Sequence, residues 1–166
     1  MRAKALPSQS WRWTKGSFVL HPWALGALVL WALNDHLLKG NGPGFLTGKL
    51  SDVAGLIFFP LLIAALIEVL GFLVKRDWTH SKRPMQIALL YTVVLYGGIN
   101  LVPWFDAQHE VFLGYVRWPL DALTALLQGA EVGPVRNVVL TLDPTDLILL
   151  PLLWLPHRIY SRWRLA

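Results

Sequence analysis

The sequence predicts an all-α fold, a polytopic bundle of about four transmembrane helices forming one integral membrane domain over residues 1–166. Three observations predict it. Apolar residues make up 55% of the 166 and charged residues 15%, where globular chains carry roughly 25% charged. A chain this small has too much surface for its volume to bury so much apolar area in water. Several stretches reach the roughly 20 apolar residues that a helix needs to cross a bilayer core of about 30 Å. The basic residues cluster at alternate ends of those stretches, as the positive-inside bias requires.

The first span is predicted over 17–38. The basic tail before it resembles the charged region of a signal peptide. However, the apolar run ends in Asn34-Asp35-His36 with no small-x-small cleavage site after it, so an uncleaved first helix is expected. The second span is predicted over 53–74, with Thr47 or Ser51 as N-cap and a kink at Pro60. The third covers 85–105, where Gly97-Gly98 permits close helix packing and Asn100 bonds between helices. The fourth covers 135–155 and is broken at Asp143-Pro144. Asp143 as N-cap, Pro144 at the first helical position and Asp146 three residues on form a helix-start signature.

A fifth apolar stretch, 111–127, contains Arg117, Pro119 and Asp121 and makes a poor span. Residues 111–134 are therefore read as an external interfacial or re-entrant segment, preceded by a loop at 106–110. Four spans with both termini inside place Arg2, Lys4, Arg12, Lys15, the four basic residues of 75–83, and Arg158, Arg162 and Arg164 in the cytoplasm. Only Lys39, Lys49, Arg117 and Arg136 remain outside. Trp13, Trp78 and Trp163 on one side and Trp104 and Trp118 on the other form the aromatic belts. The expected location is a bacterial cytoplasmic (inner) membrane. The expected partners are the lipid bilayer and either another membrane protein or a second copy. The basic residues form no stripe, which speaks against nucleic acid. Without cysteine there is no disulfide, thiolate metal site or thiol nucleophile.

The acidic residues behave differently from the basic ones. Apart from Glu68 and Asp77, they gather at or beyond the outer ends of the spans, and ionisable groups at membrane depth read as functional. The candidate catalytic residues are Asp52, Asp143 and Asp146, with Lys49 and Ser51. The candidate metal ligands are Asp35, His36, Asp52, Asp143 and Asp146, around a divalent cation. Gly55 would allow close helix contact beside them. Asp143 and Asp146, three apart, can face one point, and a helix that breaks and restarts is one way to build a membrane-embedded site. The Asp106-x-x-His109-Glu110 run has ligand-like residues at helical spacing. Glu68 is expected to pair with Arg12 or Lys15.

No catalytic or nucleotide motif is present. The run 43–50 fails as a P-loop, because Pro43 takes the place of its first glycine and Leu50 that of the hydroxyl after lysine. The expected function is a membrane-embedded, metal-assisted hydrolase or transferase acting on a lipid-linked substrate at the outer boundary. The alternatives are a non-enzymatic accessory protein and an ion- or proton-coupled transporter subunit.

Overall fold

The computed structural model describes residues 15–38, 44–75 and 81–165. Arg2, Lys4, Arg12, Trp13, Lys39, Asp77 and Trp78 lie outside the described residues, as do the side chains of Asp35, His36 and Arg164. Among the described residues all regular structure is helical, and there is no strand.

The run predicted as one helix over 17–38 is a relay of three helical forms. A 3-10 turn, Ser17–Leu20, ends at His21, whose Nδ1 accepts from the Trp23 amide (3.3 Å). Pro22 then opens α1 (Pro22–Leu33), where its missing N–H costs nothing. Asn34–Leu38 continues as a π-helical turn.

Helix α2 (Phe45–Val74) has 30 residues, about 45 Å at 1.5 Å per residue. It begins well before the predicted residue 53, and its N-cap is Gly44, not Thr47 or Ser51. Thr47 sits at the third helical position, where its Oγ1 accepts from the Gly44 amide (2.9 Å). Lys49, Ser51 and Asp52 are therefore helical. The helix runs on through Pro60, which is buried.

Helix α3 (Arg83–Leu101) stops at Val102, because a residue before proline avoids the α region. Pro103 starts α4 (Pro103–Leu127). Two expectations are corrected here. The helix predicted over 85–105 ends at Leu101, so Trp104 and Phe105 belong to α4, and residues 106–110 are helical. A Cβ on Gly98 would lie 2.7 Å from the Phe105 ring, whereas one on Gly97 would meet nothing within 4 Å. Gly98 alone makes room for the turn into α4.

Helix α4 ends as the chain turns through Gly129, at a φ of 68°. Residues 130–143 have no regular structure and return along α4. The Val138 amide donates to the Glu110 carbonyl (3.2 Å), and a Cβ on Gly114 would lie 2.6 Å from the Arg136 carbonyl oxygen.

The helix predicted over 135–155 thus starts only at Pro144 and continues to Leu165. A 3-10 segment, Pro144–Leu153, passes directly into α5 (Trp154–Leu165). The helix start at Asp143-Pro144 is present: Asp143 Oδ1 accepts from the Thr145 amide (2.9 Å). Pro151 supplies a reason for the 3-10 winding, since its ring opposes α geometry in the preceding turn.

Helix α2 is the hub, packing against α1, α3 and the Pro144–Leu165 rod. The core is built from Phe18, Leu61, Ala64, Met85, Ala88, Ile159 and Tyr160, with alanines allowing close backbone approach. The outer surface is apolar, with Leu73, Val74, Leu90 and Leu101 among the exposed side chains. Among the described residues two helices, Leu46–Val74 and Arg83–Leu101, are long and apolar enough to cross a membrane.

Candidate functional site

The start of α2, the end of α3 and the first turn of the 3-10 segment meet at one end of the bundle around a cleft of about 530 Å³. Lys49, one turn into α2, is the centre of its charge. The Lys49 ammonium bonds the Asp146 carboxylate, Asp143 Oδ2 (3.3 Å) and Thr145 Oγ1 (2.9 Å). The Thr145 hydroxyl in turn donates to Asp143 Oδ1 (2.7 Å), so its proton and its lone pair are both used. Asp143, the cap of the 3-10 segment, and Asp146, in its first turn, thus address the same ammonium.

The remaining walls are held from α1 and α3. Asn34, fully buried at the end of α1, donates from Nδ2 to the Thr47 carbonyl (2.6 Å) and to Ser51 Oγ (2.7 Å). Its Oδ1 is buried with no hydrogen-bond partner. On α3, Asn100 donates to the Tyr96 carbonyl (2.9 Å) and accepts from the Asp143 amide (3.4 Å). The Tyr96 hydroxyl donates to the Asp146 carbonyl (3.3 Å).

Lys49, Ser51, Asp52, Asp143 and Asp146 all line this one cleft, together with Tyr96 and Asn100. For Asp35 and His36 only the backbone is described, in the π turn that follows α1. Among the described residues no three Asp, Glu or His side chains lie close enough together to hold a metal ion. A Cβ on Gly55 would meet nothing within 4 Å, so that glycine does not mark a close helix contact. Tyr96 was not singled out by the sequence reading. The signal that could have found it is its position four before Asn100, on the same helical face.

Two further polar groups are structural in placement. On α4, the His109 ring lies between those of Phe105 and Phe112, with centroids 6.5 and 5.7 Å away. Burial, and then the neighbouring Glu110, pushes the Asp106 carboxyl above the usual carboxylate range, while burial pushes the His109 imidazole down. Glu110 Oε1 accepts from the Leu140 amide (2.8 Å), which binds the returning chain to α4. At the opposite end of α2, buried Glu68 accepts from the Gly16 amide (3.1 Å) and the Tyr160 hydroxyl (2.7 Å).

Comparison with protein-family models, curated proteins and solved structures found no match to this chain.

Proposed function

We propose that the chain is a multi-pass protein of a bacterial cytoplasmic membrane that crosses the bilayer four times with both termini inside. On this reading, its outer cleft takes the headgroup of a lipid-linked substrate for hydrolysis or group transfer. Lengths support the crossings. The Pro144–Leu165 rod reaches about 38 Å at 2.0 Å per 3-10 residue and 1.5 Å per α residue. The 17–33 stretch reaches about 26 Å before its π turn adds to it. Helix α4, with its amphipathic sequence, then lies along the outer interface.

The observation that carries the functional reading is the convergence of Lys49, Ser51, Asp52, Tyr96 and Asn100 on one cleft at the end of an apolar-surfaced bundle. Clefts of this size suit a headgroup. Lys49 supplies fixed positive charge where an ester oxygen would become negative, Asp52 is the proton acceptor, and Ser51 is oriented by Asn34. Lys49 bonds both Asp143 and Asp146, which would have to leave it to hold a cation.

The test is native mass spectrometry of the purified protein with phosphatidylglycerol, phosphatidylethanolamine and headgroup-free diacylglycerol. The two phospholipids should be retained at least tenfold better than diacylglycerol, and Lys49→Met or Asp52→Asn should erase the difference. Equal retention of all three by the wild type would sink the reading.

A second reading, an accessory protein, is favoured by one observation: Asp143 and Asp146 are engaged within the fold as cap and ion-pair partners. It expects phospholipid discrimination to survive Asp52→Asn. A transport path draws less support. Asp52 and Glu68 lie about 24 Å apart by helical rise, and the buried α2 positions between them, Ala54, Leu56, Pro60, Leu61, Ala64 and Ala65, are apolar.

A further inference from the structure

We propose that residues 130–146 form a strap across the cleft, hinged on α4 at Glu110 and latched by Lys49. The strap is long, yet it carries no regular structure before Pro144. Its attachments fall into two groups. The first belongs to α4: Trp118 Nε1 donates to the Gly133 carbonyl (2.9 Å), and Glu110 receives the amides of Val138 and Leu140 on its carbonyl and its carboxylate. The second belongs to α2 and α3: Asn100 takes the Asp143 amide at a long 3.4 Å, and Lys49 holds Asp143, Thr145 and Asp146.

Between these groups the chain passes the cleft. Val139, Leu140 and Thr141 line it, and Val139 is 87% exposed. Backbone with few ladder bonds and few buried apolar contacts opens at low free energy. Three of the five side-chain bonds at the inner end come from one ammonium, the other two being the long ones of Asn100 (3.4 Å) and Tyr96 (3.3 Å), so displacing Lys49 removes most of the latch. A headgroup phosphate is a strong competitor for that ammonium, which couples entry to opening. This last step rests on the proposed lipid-linked substrate; the strap itself does not.

The experiment is hydrogen exchange by mass spectrometry on the full chain in nanodiscs. Maleimide labelling of an Ile99→Cys variant accompanies it, since Ile99 lines the cleft and the chain has no cysteine of its own. Lys49→Met should speed exchange over 143–150 at least tenfold and speed labelling by a similar factor. Exchange over 105–127 and 133–140 should stay near wild type, and Lys49→Arg should restore the latch. The double variant Lys49→Met/Asp146→Leu, which removes the Asp146 carboxylate with its ammonium and leaves Asp143 to Thr145, should behave as Lys49→Met does. Unchanged exchange over 143–150 in both variants would overturn the strap, as would one common acceleration along the entire chain. Neither readout compares one lipid with another, so a failed strap leaves the lipid-retention result standing, and equal lipid retention leaves the strap standing.

Discussion

The Glu68 carboxylate and the Tyr160 hydroxyl, 92 positions apart in the chain, meet at 2.7 Å inside the core. The Phe18 ring stands edge-on to Tyr160, with centroids 4.9 Å apart, and the same hydroxyl reaches the Ser81 carbonyl at 2.7 Å. One side chain of α5 thereby joins α2, the chain before α1 and the entry to α3. Tyr160→Phe keeps the ring and removes a donor from a buried carboxylate, so it should cost about 1–3 kcal/mol. A melting curve in micelles checks this, and an unchanged midpoint would mean that Glu68 does not depend on the hydroxyl.

Gly114→Ala should be harmful although alanine is the better helix former. Its Cβ would lie 2.6 Å from the Arg136 carbonyl oxygen, a backbone atom that cannot rotate away. The returning chain must shift, at about 1–3 kcal/mol for overpacking. Limited proteolysis should cut within 130–143 sooner in this variant than in wild type. Equal cutting would show that the two segments separate without cost.

The pH response of α4 has two opposed parts. The Asp106 carboxyl is raised by burial and by Glu110. Its contribution to stability is therefore complete below the ordinary carboxyl value of 3.8 and is lost as pH rises through the folded-state value. His109 is lowered by burial. Its contribution is present above 6.5 and is lost as pH falls through its own folded-state value. Asp106→Asn should therefore raise the melting midpoint at neutral pH, with the two curves meeting at the acid end. Parallel curves across the whole range would refute this account.

Topology can be read with fusions. Alkaline phosphatase joined after Gly129 should be active, and joined after Ala166 it should be inactive, while a fluorescent protein at the C-terminus should fold and glow. An active phosphatase at the C-terminus would mean an odd number of crossings.

The helical class was legible because long apolar runs, whatever their caps, leave the backbone few other ways to satisfy itself. The grouping of Lys49, Ser51, Asp52, Asp143 and Asp146 was legible from the ends of the runs on which they fall. Their pairing was not. Lys49 was read as a candidate catalytic residue and Asp146 as a metal ligand, yet the two bond each other, and a contact across 97 positions leaves no local trace. The start of α2 was misplaced for a local reason. Gly44 caps with its backbone, and Thr47 answers from inside the helix, so the hydroxyl that looked like the cap belongs to the first turn. The 3-10 winding of Pro144–Leu153 was hidden as well, since apolar periodicity over so short a stretch does not separate it from an α-helix.

The rod from Pro144 to Leu165 is fastened to a single helix at both ends, at Lys49 through Asp146 and at Glu68 through Tyr160. This has a consequence for biogenesis. On the four-crossing reading the rod, which carries Pro144, Pro151 and Pro156 along with Asp146 and three arginines, is a poor candidate to partition into lipid unaided. Its two polar anchors need partners that α2, made earlier in synthesis, already displays. The last segment is thus a dependent client of the second, and the order of translation matches the order in which the pieces can be seated. Substitutions at Glu68 should then appear in cells first as failed maturation and turnover of the newly made chain.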